Sequence, residues 1–283
     1  MKSFWLSVFS IWIVICCSSA YCTAEELLYC RLTEGFWQVW SQKEDEPPAQ
    51  LTFSPYDKRS PSVTRQGEII YHTSNNRCFR LIQGRKEEEL LADLWPVRDL
   101  VGSPKTDLFV FSRFRTDIID QSNLWLFNPS TNQRTLLTSD AGIQYQPAWS
   151  YDGSKIAYSA GAGPRGKEIF IIHIDGMEKK QLTRNQGNDF VPNWSPDGTK
   201  IVYSSNVTDD FEIWVMNAEG KEAKQLTKSP GLETRPVFSP DGTRIAFTSN
   251  RSGKLEIWMM NADGSNPQKW FNDEAPTCDP FWF

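Results

Sequence analysis

The sequence predicts an all-β fold, a six-bladed β-propeller of four-stranded blades, carried on a chain that begins with an export signal. Two observations predict the propeller: a repeat of 40–47 residues running through the chain, and a strand–turn pattern of four short strands inside each repeat. A third, the apolar N-terminal segment, predicts export. Composition agrees, since 39% hydrophobic and 13% aromatic residues can build a core and do not resemble a disordered chain.

The N-terminus reads as a secretory signal peptide over residues 1–24. Lys2 is followed by an apolar run from Phe4 to Cys17 and then by small residues ending at Ala20 or Ala24, the two candidate cleavage points. The run is shorter than the roughly 20 residues that span a bilayer. Cys16, Cys17 and Cys22 follow Ile15, Cys16 and Tyr21 rather than the small residue that lipid modification requires. Removing this segment takes away Lys2 and no acid, so the formal charge of −5 becomes about −6. With no basic cluster left, nucleic acid and anionic membrane surfaces are poor partners. Residues 25–283 are then a single propeller, expected as a monomer in the periplasm or secreted, with no membrane span.

The repeats are plainest in the second half. QPAWSYDGSKIAYSA (146–160), VPNWSPDGTKIVYSS (191–205) and RPVFSPDGTRIAFTS (235–249) are followed by KEIFIIHIDG, FEIWVMNAEG and LEIWMMNADG. Two of these units continue into KQLT, at 180–183 and 224–227. An aromatic in the second strand recurs at Tyr29, Tyr71, Phe111, Tyr158, Tyr203 and Phe247. An apolar residue opening the third strand recurs at Val39, Phe79, Leu124, Ile169, Ile213 and Ile257, and both markers count six units.

Within a unit, Pro-x-aromatic-Ser forms the first strand, a segment such as KIVYSS the second, EIWVMN the third and KQLT the fourth. Asp-Gly pairs join the first strand to the second, because Gly accepts positive φ and Asp bonds its own backbone. Proline cannot donate to a ladder and belongs on an edge, which sets the first strand innermost and KQLT at the rim. The chain ends in CDPFWF (278–283), a first strand with nothing after it, and residues 25–53 supply strands two to four. The sixth blade is thus built from both ends, which removes open sheet edges. Cys30 aligns with Ser204 and Cys278 with Phe190, positions facing each other across the hairpin. A Cys30–Cys278 disulfide would tie the ends together, the other reading being two buried thiols that pack. Cys78 is left unpaired, or bonds Cys22 if cleavage follows Ala20.

The units PNWSPDGTKIVYSSN, EIWVMNAEG and KQLT resemble the repeats of the TolB propeller family, most closely between 144 and 265. The resemblance implies a periplasmic, non-enzymatic protein that docks a partner at its channel mouth, in TolB a peptidoglycan-associated lipoprotein. The α/β domain that precedes the propeller in TolB has no counterpart between the signal segment and the blades here. Related repeats also occur in propellers of oligopeptidase-type enzymes and of an oligogalacturonate lyase.

The sequence offers no catalytic motif, metal set or cofactor signature. Gly-x-Ser-x-Gly is absent, and the only two histidines, His72 and His173, fall in strands two blades apart. The repeated Asp of each Asp-Gly pair is accounted for by the turn rather than by calcium. Trp40, Trp125, Trp214 and Trp258, with Phe170, share one blade position and read as packing between blades. Candidate binding residues lie just before the inner-strand proline, where the repeats differ. Gln144, Asp189, Glu233 and Thr277 come first, then Tyr145, Phe190 and Thr234, then Gln146, Val191, Arg235 and Asp279. Acidic, aromatic and arginine side chains together suit an envelope protein or peptide. The alternative is a carbohydrate- or small-molecule-processing enzyme using channel carboxylates, with Asp189 and Glu233 as acid and base.

Overall fold

The computed structural model describes residues 26–44, 46–82, 86–118, 121–161 and 166–283, so the segment expected to be a signal peptide and any pairing of Cys22 lie outside the described residues. Six four-stranded antiparallel sheets form the blades. Blade 1 joins Glu26–Thr33 (β1), Phe36–Lys43 (β2) and Ala49–Gln50 (β3) to the last strand, Thr277–Trp282 (β24). Blade 2 holds Lys58–Val63 (β4), Ile69–Thr73 (β5), Cys78–Ile82 (β6) and Lys86–Leu90 (β7). Blade 3 holds Val97–Gly102 (β8), Phe109–Phe114 (β9), Ser122–Asn128 (β10) and Gln133–Leu136 (β11). Ile143–Trp149 (β12), Lys155–Gly161 (β13), Glu168–His173 (β14) and Lys180–Gln181 (β15) make blade 4. Asp189–Trp194 (β16), Lys200–Thr208 (β17), Asp210–Asn217 (β18) and Lys224–Gln225 (β19) make blade 5. Glu233–Phe238 (β20), Arg244–Ser249 (β21), Glu256–Asn261 (β22) and Gln268–Lys269 (β23) make blade 6.

The second strands are buried on both faces, because each blade packs against two neighbours. β17 accordingly shows a run of five buried residues from Ile201 to Ser205 rather than alternation. The aromatic row Tyr29, Tyr71, Phe111, Tyr158, Tyr203 and Phe247 is 0–2% exposed. Each such side chain is worth about 1.5–3 kcal/mol of apolar burial. Opposite them across the ladder stand Trp40, Phe79, Trp125, Phe170, Trp214 and Trp258. The register corrects one sequence expectation here. Phe79 belongs to this tryptophan row, and Cys78, opposite His72, takes the place of Val39 and Leu124 as the apolar residue opening the third strand.

The hairpin turns consume the repeated Asp. Asp197 accepts hydrogen bonds from Ser195 Oγ at 2.5 Å and from the Thr199 amide at 3.0 Å, while Gly198 adopts φ +69°. Asp152 and Asp241 repeat the arrangement with Ser150 and Ser239.

The ring closes where β1 pairs with β24, as the repeats foretell. Leu27 faces Trp282, Cys30 faces Cys278 and Arg31 faces Thr277. Glu26 and Phe283 exchange backbone hydrogen bonds, and Arg31 grips Asp273 with two bonds of 2.5 and 2.9 Å.

Candidate functional site: the channel and its mouth

Each innermost strand is interrupted by one register shift. At every shift a single non-glycine residue takes the left-handed conformation. These are Ser60 (φ 47°), Asp99 (53°), Gln146 (53°), Val191 (51°), Arg235 (55°) and Asp279 (57°). A bulge leaves its extra residue unpaired and turns the strand, and the proline that follows in five of the six loses nothing by lacking an N–H. The six bulges line the central channel around a cavity of about 130 Å³.

Neighbouring blades are chained through these bulges. Arg235 Nε lies 2.9 Å from Asp279 Oδ1 and its guanidinium donates to Ser60 Oγ at 2.9 Å. The Ser60 amide donates to Asp279 Oδ2 at 2.9 Å. Asp99 Oδ2 accepts from Ser112 Oγ at 2.7 Å and from the Gln146 amide at 3.1 Å. Gln146 Oε1 in turn accepts from the Val191 amide at 3.2 Å. Burial raises the Asp279 carboxyl, but Arg235, the Ser60 amide, Arg59 and His72 bring it below the ordinary range, so it is ionised. The Arg235 guanidinium is correspondingly raised, first by Asp279. His72, on β5, reaches this group of charges with a buried Nε2 that lacks a hydrogen-bond partner. Burial lowers its pKa, against the pull of Asp99 and with that of Arg235.

One residue before each bulge lies a second ring: Cys278, Arg59, Arg98, Tyr145, Phe190 and Thr234, in blade order. It divides into two arcs. On blades 4 and 5, Tyr145 meets Phe190 edge-on at 6.0 Å and Phe190 meets Phe211 at 5.5 Å. On blades 2 and 3, Arg59 lies over Trp37 at 4.3 Å and Arg98 over Phe114 at 5.0 Å. The Tyr145 hydroxyl is raised first by burial and then by the charge of Asp99.

The structure separates the predicted residues into two sets. Tyr145, Phe190, Thr234, Arg235 and Asp279 belong to the two rings. Gln144, Asp189 and Glu233 are 0–1% exposed and fasten the loops that enter each blade. Gln144 Nε2 donates to the carbonyls of Asp140, Ala141 and Gly142. Asp189 accepts from Asn185 Nδ2 at 2.8 Å, and Glu233 is paired with Arg251 at 2.8 Å. Neither carboxylate lines the channel cavity, so they do not form an acid–base couple there.

Sequence reasoning passed over Arg59, Ser60, His72, Arg98 and Asp99. Pro61 was a usable signal for Ser60, but β8 carries Leu100 in place of proline and gave none for Asp99. At the opposite end of the channel, Trp149, Trp194, Phe238 and Trp282 end their inner strands around a cavity of about 310 Å³.

The sequence matches the TolB beta propeller domain over residues 102–208 and 205–280. A TolB candidate from Agrobacterium tumefaciens superposes with a TM-score of 0.72 at 20% identity, covering 92% of this chain and 97% of that one. A chain of a nidogen/laminin complex gives 0.71 at 10% identity, covering 91% and 98%. An oligogalacturonate lyase in complex with manganese gives 0.60 at 16%, covering 86% and 73%. At these identities the structural likenesses speak for the fold alone. No curated protein matches the sequence.

Proposed function

This chain belongs to the TolB β-propeller family, and from that premise we propose that it is an exported, non-enzymatic binding module that holds an extended segment of a protein partner at its channel mouth. The observation that carries this is the division of the second ring into an aromatic arc (Tyr145 and Phe190, backed by Phe211 of β18) and a cationic arc (Arg59 and Arg98). Aromatic and arginine side chains are the residue types that dominate binding energy at protein interfaces. A segment bearing one apolar side chain and one carboxylate fits both arcs. The family's periplasmic setting makes an envelope protein the expected source, a peptidoglycan-associated lipoprotein among them.

The non-enzymatic reading is supported by the state of the carboxylates. Asp279 is neutralised by Arg235, and Asp99 is taken up by Ser112 and the Gln146 amide.

The test is crosslinking capture from native envelope, identification of the captured protein, and titration of the purified pair. Tyr145→Ala with Phe190→Ala should weaken binding at least about thirtyfold, the scale of a central aromatic anchor. Arg98→Ala should weaken it less and reduce its salt dependence. Equal affinity for the parent and both variants, with folding intact, would sink the proposal.

A further inference from the structure

The one seam in the propeller where the chain does not run on from strand to strand is β1 against β24. At its centre Cys30 faces Cys278, although the two are 248 residues apart in sequence. The other five blades offer an internal control at the same pair of positions. They carry His72 with Arg59, Ser112 with Arg98, Ser159 with Tyr145, Ser204 with Phe190, and Thr248 with Thr234. Only the blade built from both chain ends carries cysteine on both strands.

Directly opposed residues in antiparallel strands have Cα atoms about 4.5 or 5.5 Å apart, and both spacings fall within the roughly 4.4–6.8 Å that a disulfide spans. The two thiols are neighbours that act on each other's charge, while the Cys30 thiol donates to the Lys58 carbonyl at 3.4 Å. An Arg59 guanidinium N–H points at Cys278 Sγ from 3.3 Å. Among the described residues Cys78 has no thiol neighbour of this kind, its sulfur lying 3.8 Å from the Val97 carbonyl.

We infer that Cys30 and Cys278 are a redox latch, a dithiol that is oxidised to a disulfide locking the seam of the ring. The oxidant is a disulfide, small-molecule or protein-borne, acting by thiol–disulfide exchange. The Cys278 sulfur attacks as thiolate; a new S–S bond forms and one thiol of the oxidant leaves with a proton. Cys30 then loses its proton and attacks the Cys278 sulfur of the mixed disulfide, expelling the second thiol. Two protein thiols are oxidised, and one external disulfide is reduced to two thiols.

Burial orders these events in time. Cys30 is 0% and Cys278 3% exposed, and burial holds the Cys30 thiol well above its ordinary pKa. Exchange therefore occurs while the seam is still open, during folding, and the finished bond is shielded from reductant in the closed ring.

The test is refolding of the full chain in a buffer of reduced and oxidised glutathione, then alkylation under denaturing conditions and peptide mass mapping. The expected product joins the Cys30 peptide to the Cys278 peptide and leaves Cys78 alkylated. Reduction should require prior denaturation and should lower Tm by roughly 10 °C or more, as expected for so long a closed loop. Cys30→Ser with Cys278→Ser should show the reduced protein's Tm and no response to reductant. Recovery of Cys30 and Cys278 both alkylated, or a bond that uses Cys78, overturns the latch. The mapping decides this on the parent chain alone, even where the serine variant fails to fold.

Discussion

Replacing Arg251 by methionine should expose how blade 6 tolerates a buried carboxylate. Glu233 is fully buried, and four groups satisfy it: Ser229 Oγ at 2.7 Å, Ser249 Oγ at 2.8 Å, and Arg251 through Nε at 3.2 Å and a terminal nitrogen at 2.8 Å. Glu212 stands nearby, its own carboxyl raised first by burial and further by Glu233, while Arg251 works against the rise. Methionine keeps an unbranched apolar side chain of similar length and removes the charge, together with the guanidinium that lies over Phe247 and Trp258. Breaking a buried pair from one side costs about 3–5 kcal/mol. Arg251 is 17% exposed, so the lower end, about 3 kcal/mol, applies, or a Tm lower by roughly 6–12 °C. Glu233→Gln in the same background removes the stranded charge and should restore more than half of the loss. Urea unfolding of the parent, both single variants and the double variant closes the cycle. A single Arg251→Met change within 1 kcal/mol of the parent, on the scale of an exposed ion pair, would refute the reasoning, as would failure of Glu233→Gln to restore stability.

Blade 5 carries the same carboxylate pair, with Val207 where blade 6 has Arg251. Glu168 is raised first by burial, lowered by Thr183 and the Asn185 amide, and raised again by Asp189. A carboxyl raised in the folded state stabilises the fold below its unfolded value of about 4.5, and that contribution is lost as pH rises through the folded value. Asp189→Asn should therefore raise Tm at pH 7 and have little effect near pH 4; a lower Tm at pH 7 contradicts this. Val191 is a β-branched residue held at φ 51°, which costs about 1–2 kcal/mol. Val191→Asn should raise Tm by roughly 2–4 °C, and an unchanged Tm would mean that the bulge stores no strain.

How much of this was legible follows the chemistry of each segment. Blades 4 to 6 announce themselves because proline, aromatic, serine and Asp-Gly recur at fixed offsets. The closure was legible for the same reason, since CDPFWF can only be an inner strand. Blade 2 misled at Phe79 because its third strand begins one residue earlier than the aromatic suggests, at a cysteine that packs like an aliphatic residue. The site was half legible. Period-two alternation puts Gln144 and Gln146 on one face, but Gln146 is itself the bulge residue, held at φ 53° just after the paired Tyr145, and breaks that rule. Gln144 therefore turns into the loop and Gln146 into the channel. No local sequence signal marks a left-handed Asp99, which Leu100 follows where the other five blades have proline.

The bulges also decide which ring is free to set specificity. Asp99 accepts the amide of Gln146 on the next blade, Gln146 that of Val191, and Asp279 that of Ser60. Changing Asp99 or Asp279 thus strands a backbone donor on the neighbouring blade, at a cost of about 1–3 kcal/mol where that donor is buried, whereas the Val191 amide also reaches Ser159 Oγ at 3.2 Å. The ring one residue earlier carries no such duty at Tyr145 or Phe190, which meet other side chains through ring contacts. The bulge ring is therefore tied to the propeller's integrity, and the mouth ring above it is where the side chains can differ from blade to blade. That is where the aromatic and cationic arcs are found, and it is why the binding variants are placed at Tyr145, Phe190 and Arg98 rather than at Arg235 or Asp279.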